Sequence, residues 1–205
     1  MTDPTPRSSG PRGSYAKGIA RRQEILDKSI EVFARRGAKK TSLRAIAQEV
    51  GVTHAALTHY FGSLEDLLVA VYREHERRSD SEHPETPADV SPALMMRVSA
   101  EENRSIPGLI QLYSTLVATA LEEEGSPAHE FASQRFGRLR IELTERVRLL
   151  QSTGQLRDDL EPSLVAALVI AASDGLQTQW LLDPSVDHEA ALEMLDNLLA
   201  GDHCR

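Results

Sequence analysis

At 205 residues, with 40% hydrophobic side chains, 12 Gly, 10 Pro and a net charge of −8, the chain has an ordinary globular composition and room for one large or two small domains. Its one cysteine, Cys204, excludes an intramolecular disulfide and suits a reducing compartment. No signal-type apolar core opens the sequence, and the longest apolar run, residues 164–172, is about half of the roughly 20 residues a membrane span needs. The expected location is therefore cytoplasmic, without a membrane partner.

Residues 1–16 are rich in Pro, Gly, Ser and Arg and are expected to be a disordered basic tail. Strand-type runs of β-branched and aromatic residues are absent, while Leu, Ala, Glu and Arg dominate, so an all-α fold is expected. From residue 17 to 36 the apolar positions Ile25, Leu26, Ile30 and Phe33 make a helical stripe that Gly37 ends. Thr41 and Ser42 offer caps for a short helix over 43–50, and Thr53 caps a third that reaches about residue 60. Ser63 to Asp66 has the spacing of a capping box and opens a fourth helix to about residue 78.

The polar stretch 79–92, with three prolines, reads as a linker. Helical patterning resumes over 93–102, 107–124 and from Pro127 to about 151, with Pro107 in a first turn and Gly154 as a stop. Pro162 opens an apolar helix to about 182, and Asp187 caps the last one. This gives three parts: the tail, a first helical unit over 17–63, and a larger helical unit over 64–205 in which 64–78 is the connecting helix.

Overall acidity argues against nucleic acid, but its distribution reverses that. Residues 1–60 hold 11 Lys or Arg against 5 Asp or Glu, a net of +6, whereas 61–205 hold 12 against 26, a net of −14. A basic end on an acidic body is the asymmetry of a chain whose one end meets a polyanion. The segment TSLRAIAQEVGVTHAALTHYF, residues 41–61, says how. Two short helices are joined by a turn at Gly51, where glycine supplies a positive φ. Ala47 allows close approach, Leu57 points the second helix back at the first, and Ile46 and Val50 complete a small core. That is helix-turn-helix spacing, which presents the second helix to a major groove.

With RRQEILDKSIEVFARRGAKKTS before it and HYFGSLEDLL after it, this segment resembles the TetR family of bacterial transcriptional regulators. The resemblance covers about residues 20–70; beyond them the chain matches in size and helical layout. It implies that Thr53, His54, Ala55, Thr58 and His59 read the groove, with Thr hydroxyls donating to phosphates or bases and the Ala55 methyl touching thymine. Tyr60 packs by its ring and points its hydroxyl at the backbone. Arg44 reaches base or phosphate, Thr41 and Ser42 place hydroxyls and helix-start amides by a phosphate, and Lys39 and Lys40 add charge. Leu64 stands where the family often has a phosphate-binding Lys, and Thr58 where it often has Tyr. Arg7, Arg12 and Lys17 of the tail are placed to compensate.

In the second unit, the helix from 164 to 182 has one apolar stripe at Val165, Val169, Ala172, Leu176 and Trp180 and another at Leu164, Leu168, Ala171 and Gly175. A helix apolar on two faces must be covered twice. The expected second cover is a partner copy, in a two-fold four-helix interface joined by Leu192, Leu195 and Leu199, as the resemblance also implies. A two-fold dimer requires a palindromic operator. The expected ligand pocket lies between the long helices. Its candidate walls are Met95 and Met96, then Ile110, Tyr113 and Leu116, then Phe131, Arg135 and Phe136, and finally Ser173, Gln177 and Trp180.

The resemblance implies a repressor released from its operator by a small molecule, through a population shift of the connecting helix. A regulator controlled by a protein partner is the alternative, with Met95–Met96 and the acidic run 122–124 able to serve either. An enzyme is not expected. The seven histidines show no metal-ligand clustering, no nucleophile elbow or phosphate loop is present, and no cofactor is implied.

Overall fold

The computed structural model describes residues 11–36, 42–82, 87 and 89–201. Among them the chain forms α1 (Pro11–Arg36), α2 (Leu43–Val50), α3 (His54–Phe61), α4 (Leu64–Glu82), α5 (Pro92–Asn103), α6 (Pro107–Glu122), α7 (Pro127–Ser152), α8 (Pro162–Leu182) and α9 (His188–Leu199). The only β pairing among these residues is an isolated bridge between Leu156 and Ala200. The all-α expectation holds. Proline opens α5 to α8, where its fixed φ suits a first turn and its missing N–H is no loss.

Two boundaries differ from expectation. Residues 11–16, assigned to a disordered tail, form the start of α1, a helix that Pro11 opens and that the downstream stripe stabilises by propagation. Residues 1–10, with Arg7, lie outside the described residues. Likewise α4 runs four residues beyond 78, into the stretch read as linker, because Arg77 and Arg78 fasten its last turns to Glu74 and Asp27.

The apolar interior is in two parts. One core joins Ile25, Phe33, Ile46, Ala47, Val50, Leu57 and Phe61 to Leu67, Val71 and Tyr72 of α4, and continues through Leu109, Leu112, Tyr113 and Leu116 to Phe131 and Ala132. It therefore crosses the 63/64 division without a gap. The second gathers Leu143, Val147 and Leu150 of α7, Val165, Ala166, Val169 and Ile170 of α8, and Leu199. Phe136 packs against both.

The α6 start sits directly on the end of α1. A Cβ added at Gly108 would lie 1.8 Å from the Phe33 carbonyl oxygen and 2.9 Å from that of Ala34, so only glycine fits.

α4 is fastened on two sides. Toward α1, the buried Glu74 carboxylate accepts from Gln23 Nε2 at 2.8 Å, Arg77 Nε at 2.9 Å and Arg78 Nε at 3.0 Å, and Arg78 also pairs with Asp27. Toward α7, Arg135 Nε donates to Glu76 at 2.8 Å, and the Ala128 N–H at the start of α7 donates to Glu65 at 2.8 Å.

The Arg77 hydrogen bonds, against the opposing effect of burial and with help from Arg78 and Gln23, hold the Glu74 carboxyl at about 2, below its ordinary 4.5. A carboxyl depressed by folding contributes its full stabilisation above about pH 4.5 and loses it as pH falls toward 2. Glu74→Gln should therefore be less stable than the parent at pH 7. It should also show a shallower stability loss across that acid window in denaturant titrations. Parallel curves for the two proteins would exonerate Glu74.

Candidate nucleic-acid interface and buried polar cluster

Local hydrogen bonds set the two short helices. Ser42 Oγ accepts from Ala45 N at 3.2 Å to cap α2, and Thr53 Oγ1 accepts from Ala56 N at 3.1 Å to cap α3. Between them Gly51 has φ 75° and ψ 37°. Val52 N–H reaches the Ala47 carbonyl at 2.8 Å, and Gly51 N–H the Gln48 carbonyl at 3.3 Å, a left-handed helix stop. Ile46, Ala47, Val50, Leu57 and Phe61 are buried beneath, so the faces of α2 and α3 that touch the core have no freedom to rotate.

What remains on the surface of α3 is polar and small. Thr53, His54, Ala55, Thr58 and His59 are exposed, as are Ser42 and Arg44 of the α2 start. Thr58 Oγ1 donates to the His54 carbonyl at 3.1 Å, so its one hydroxyl hydrogen is used within α3 and it is left as an acceptor toward a groove, not the donor expected. Tyr60 is half-buried against the first core, its ring edge-on to His59 at 5.1 Å. Lys39, Lys40 and Thr41 lie outside the described residues.

Ser63 supplies the next cap. Its Oγ accepts from Asp66 N at 3.0 Å, while Asp66 accepts from Ser63 N at 3.2 Å, the reciprocal pair of a capping box. Leu64, half-buried against the first core, thus opens the helix that leaves the reading head.

The residues expected to line a pocket are divided. Ile110, Tyr113, Leu116 and Phe131 are buried. Met95 and Met96 pack against the second core, and Trp180 packs near the His188 ring at 5.5 Å. Ser173 and Gln177 are half-buried, Gln177 accepting from Asn103 at 3.2 Å.

The structure brings Tyr113 and Arg135 together with three residues the sequence did not single out: Tyr72, Glu76 and Asp174. Tyr113 stacks on Tyr72 at 5.1 Å, lies under the Arg135 guanidinium at 4.7 Å and donates to Asp174 at 2.9 Å. Burial, against Arg135, pushes the Tyr72 hydroxyl up to about 12. It also raises the Asp174 carboxyl, against the Tyr113 hydrogen bond and Arg135. One signal was legible: Asp174 is the one charged residue in Pro162–Leu182. Its partners sit on α4, α6 and α7, too far along the chain for periodicity to pair them.

Along α8, Val165, Ala166, Val169 and Ile170 are buried, while Leu164, Leu168, Ala171 and Gly175 are exposed. The helix is long and apolar enough to cross a membrane by length and composition alone, but its buried face belongs to the helical core. On α9 the expected interface set needs correction. Leu192 and Leu199 are buried in this chain at 0% and 9% exposure, Leu199 within the second core and α9 as a whole packed against α5. Leu195 is half-buried, and Met194 and Leu198 are the exposed apolar residues.

Two family descriptions match this architecture: bacterial regulatory proteins of the tetR family over residues 25–71, and the C-terminal domain of BetI-type transcriptional repressors over residues 108–201. The chain belongs to the TetR family. The HTH-type transcriptional repressor Rv1474c of Mycobacterium tuberculosis is 25% identical over 189 residues, 91% of this chain and 97% of that protein. A TetR-family transcriptional regulator from Rhodococcus sp. superposes with a TM-score of 0.71 at 21% identity, over 88% of this chain and 98% of that one. FadR of Bacillus subtilis, solved with stearoyl-CoA, gives 0.62 at 20% identity, over 87% and 97%. Both superpositions establish the TetR fold: a helix-turn-helix head on a helical body.

Proposed function

We propose that this TetR-family chain is a homodimeric repressor that works in the cytoplasm, holds a palindromic operator, and releases it when a small molecule binds the helical body. The observation that carries the DNA-binding half is the α3 surface: five exposed polar or small residues on a helix whose opposite side is locked by Leu57 and Phe61. In this reading Thr53, His54, Ala55, Thr58, His59 and Tyr60 meet the groove and its walls, and Ser42 and Arg44, with Lys39, Lys40 and Thr41, meet the backbone.

The ligand half rests on the polar cluster of Tyr113, Arg135 and Asp174. It ties the α8 interior to Glu76 on α4, so a ligand entering beside these side chains acts on the connecting helix. A related fold solved with stearoyl-CoA supports a small-molecule effector. Dimerisation rests on the uncovered apolar face of α8 and α9.

The test is operator binding. Replacing Thr58 and His59 together by Ala should weaken binding to the palindrome upstream of the chain's own gene by about a hundredfold or more, since each base contact contributes about 1–3 kcal/mol. The variant should keep the parent's helical content and oligomeric state. Parent affinity should fall steeply with salt, with a slope of about 0.9 per phosphate neutralised. Unchanged affinity in the double variant, or a flat salt response, would refute this reading.

A further inference from the structure

A groove lies elsewhere than the expected pocket. It has a volume of about 550 Å³, lies at the seam of α1, the end of α3, α4 and the start of α7, and is lined by none of the candidate pocket residues. Its size falls within the range of about 300–1,000 Å³ typical of small-molecule sites.

Its chemistry is distinctive. Arg22 lies over the Phe61 ring at 4.8 Å and Arg73 over the Phe131 ring at 5.7 Å, so one face of each guanidinium is taken by an aromatic ring. Arg73 gives one N–H to Gln134 at 3.1 Å. Among the described residues neither guanidinium has a carboxylate partner, whereas Arg77 on the same wall is paired with Glu74.

The lining carboxylates, Asp66, Glu74 and Glu130, equal the lining cations in number, but two of them are already held by other partners. Asp66 is engaged by Ser63, and Glu74 by Gln23, Arg77 and Arg78. Glu130, exposed, is the remaining carboxylate. Leu26, Phe61 and Val69 are buried beneath the groove, and the half-buried Tyr60, Ala70 and Pro127 give it its apolar surface. A planar guanidinium with N–H groups to spare is a fork for a carboxylate or phosphate, and the apolar surface beside it takes an apolar body.

We infer that this groove is a second ligand site, which binds a small organic anion, a carboxylate or phosphate ester on an apolar or aromatic body, through Arg22 and Arg73. Helices of the reading head and of the body both line it. An occupant therefore bridges the two and biases the angle of the head, independently of the cluster at Tyr113.

Calorimetry on the full-length protein at constant ionic strength tests this with benzoate, phenyl phosphate, inorganic phosphate and phenol. Saturable binding of one phenyl phosphate or benzoate per subunit is expected, at least tenfold tighter than inorganic phosphate or phenol. The stronger of the two aromatic anions tells whether the headgroup is phosphate or carboxylate.

Arg22→Gln and Arg73→Gln should each weaken the anion at least tenfold, with Lys at either position giving an intermediate loss, while operator affinity without anion stays at the parent value. Each variant's fold is checked by circular dichroism, and Arg73→Gln decides alone if Arg22→Gln does not fold. Phenol binding as tightly as the anions, or variants that bind them like the parent, would overturn the site. Because the anion and the operator are measured separately, loss of operator binding by the Thr58/His59 variant leaves this result untouched, and the reverse holds too.

Discussion

Gly108→Ala is expected to lower the thermal midpoint by roughly 2–12 °C, taking overpacking at about 1–3 kcal/mol and about 2–4 °C per kcal/mol for a chain of this size. Its Cβ would stand 1.8 Å from the Phe33 carbonyl oxygen, a backbone atom that no rotamer change can move aside. Either α6 slides off the end of α1 or α1 loses its last turn. Both disturb the core that holds Phe33 and Leu109. Gly137→Ala is the control: inside α7, with nothing within 4 Å of the added methyl, it should stabilise by about 0.5–1 kcal/mol through helix propensity. Opposite signs for two glycine-to-alanine changes separate close packing from backbone entropy. A Gly108→Ala midpoint within a degree of the parent would mean that α6 does not rest on α1.

Local chemistry explains how much was legible beforehand. Ser42, Thr53, Ser63, Pro107, Pro162 and Asp187 announce helix starts because capping and proline geometry act within one turn, and each sits where it was expected. Gly51 was readable for the same reason. The cover of α9 was not. The apolar positions of Leu192 and Leu199 show that something packs on them, but periodicity is silent on whether the cover is the same chain's own helices or a partner copy. Likewise the Gly108–Phe33 approach and the Tyr72–Tyr113–Asp174 cluster join residues more than 40 positions apart. Arg22 and Arg73 read as ordinary surface cations until Phe61 and Phe131 are placed beneath them.

The second large effect concerns the face left uncovered on α8 and α9. Leu164 is 62% exposed, Leu168 64%, Met194 62% and Leu198 57%, with Ala171 and Gly175 continuing the α8 strip. So large an apolar patch on two adjacent helices is unusual for a monomer. In a two-fold interface each substitution counts twice, so Leu168→Asp sets two carboxylates into a dry contact that offers neither a partner. The variant should run as a monomer in light scattering at micromolar concentration. Its affinity for a palindrome should fall by about 10²–10⁴-fold, the avidity lost when two heads are no longer linked.

Folding should survive, because α8 meets its own core through Val165, Ala166, Val169 and Ile170. Leu121→Asp is the comparison, since Leu121 is 85% exposed in the last turn of α6, on a helix that does not carry this strip. That variant should remain a dimer and bind normally. A dimeric Leu168→Asp protein would place the interface on another face. A monomer that still held the full palindrome at parent affinity would instead uncouple dimerisation from DNA binding, and remove the reason for a two-fold operator.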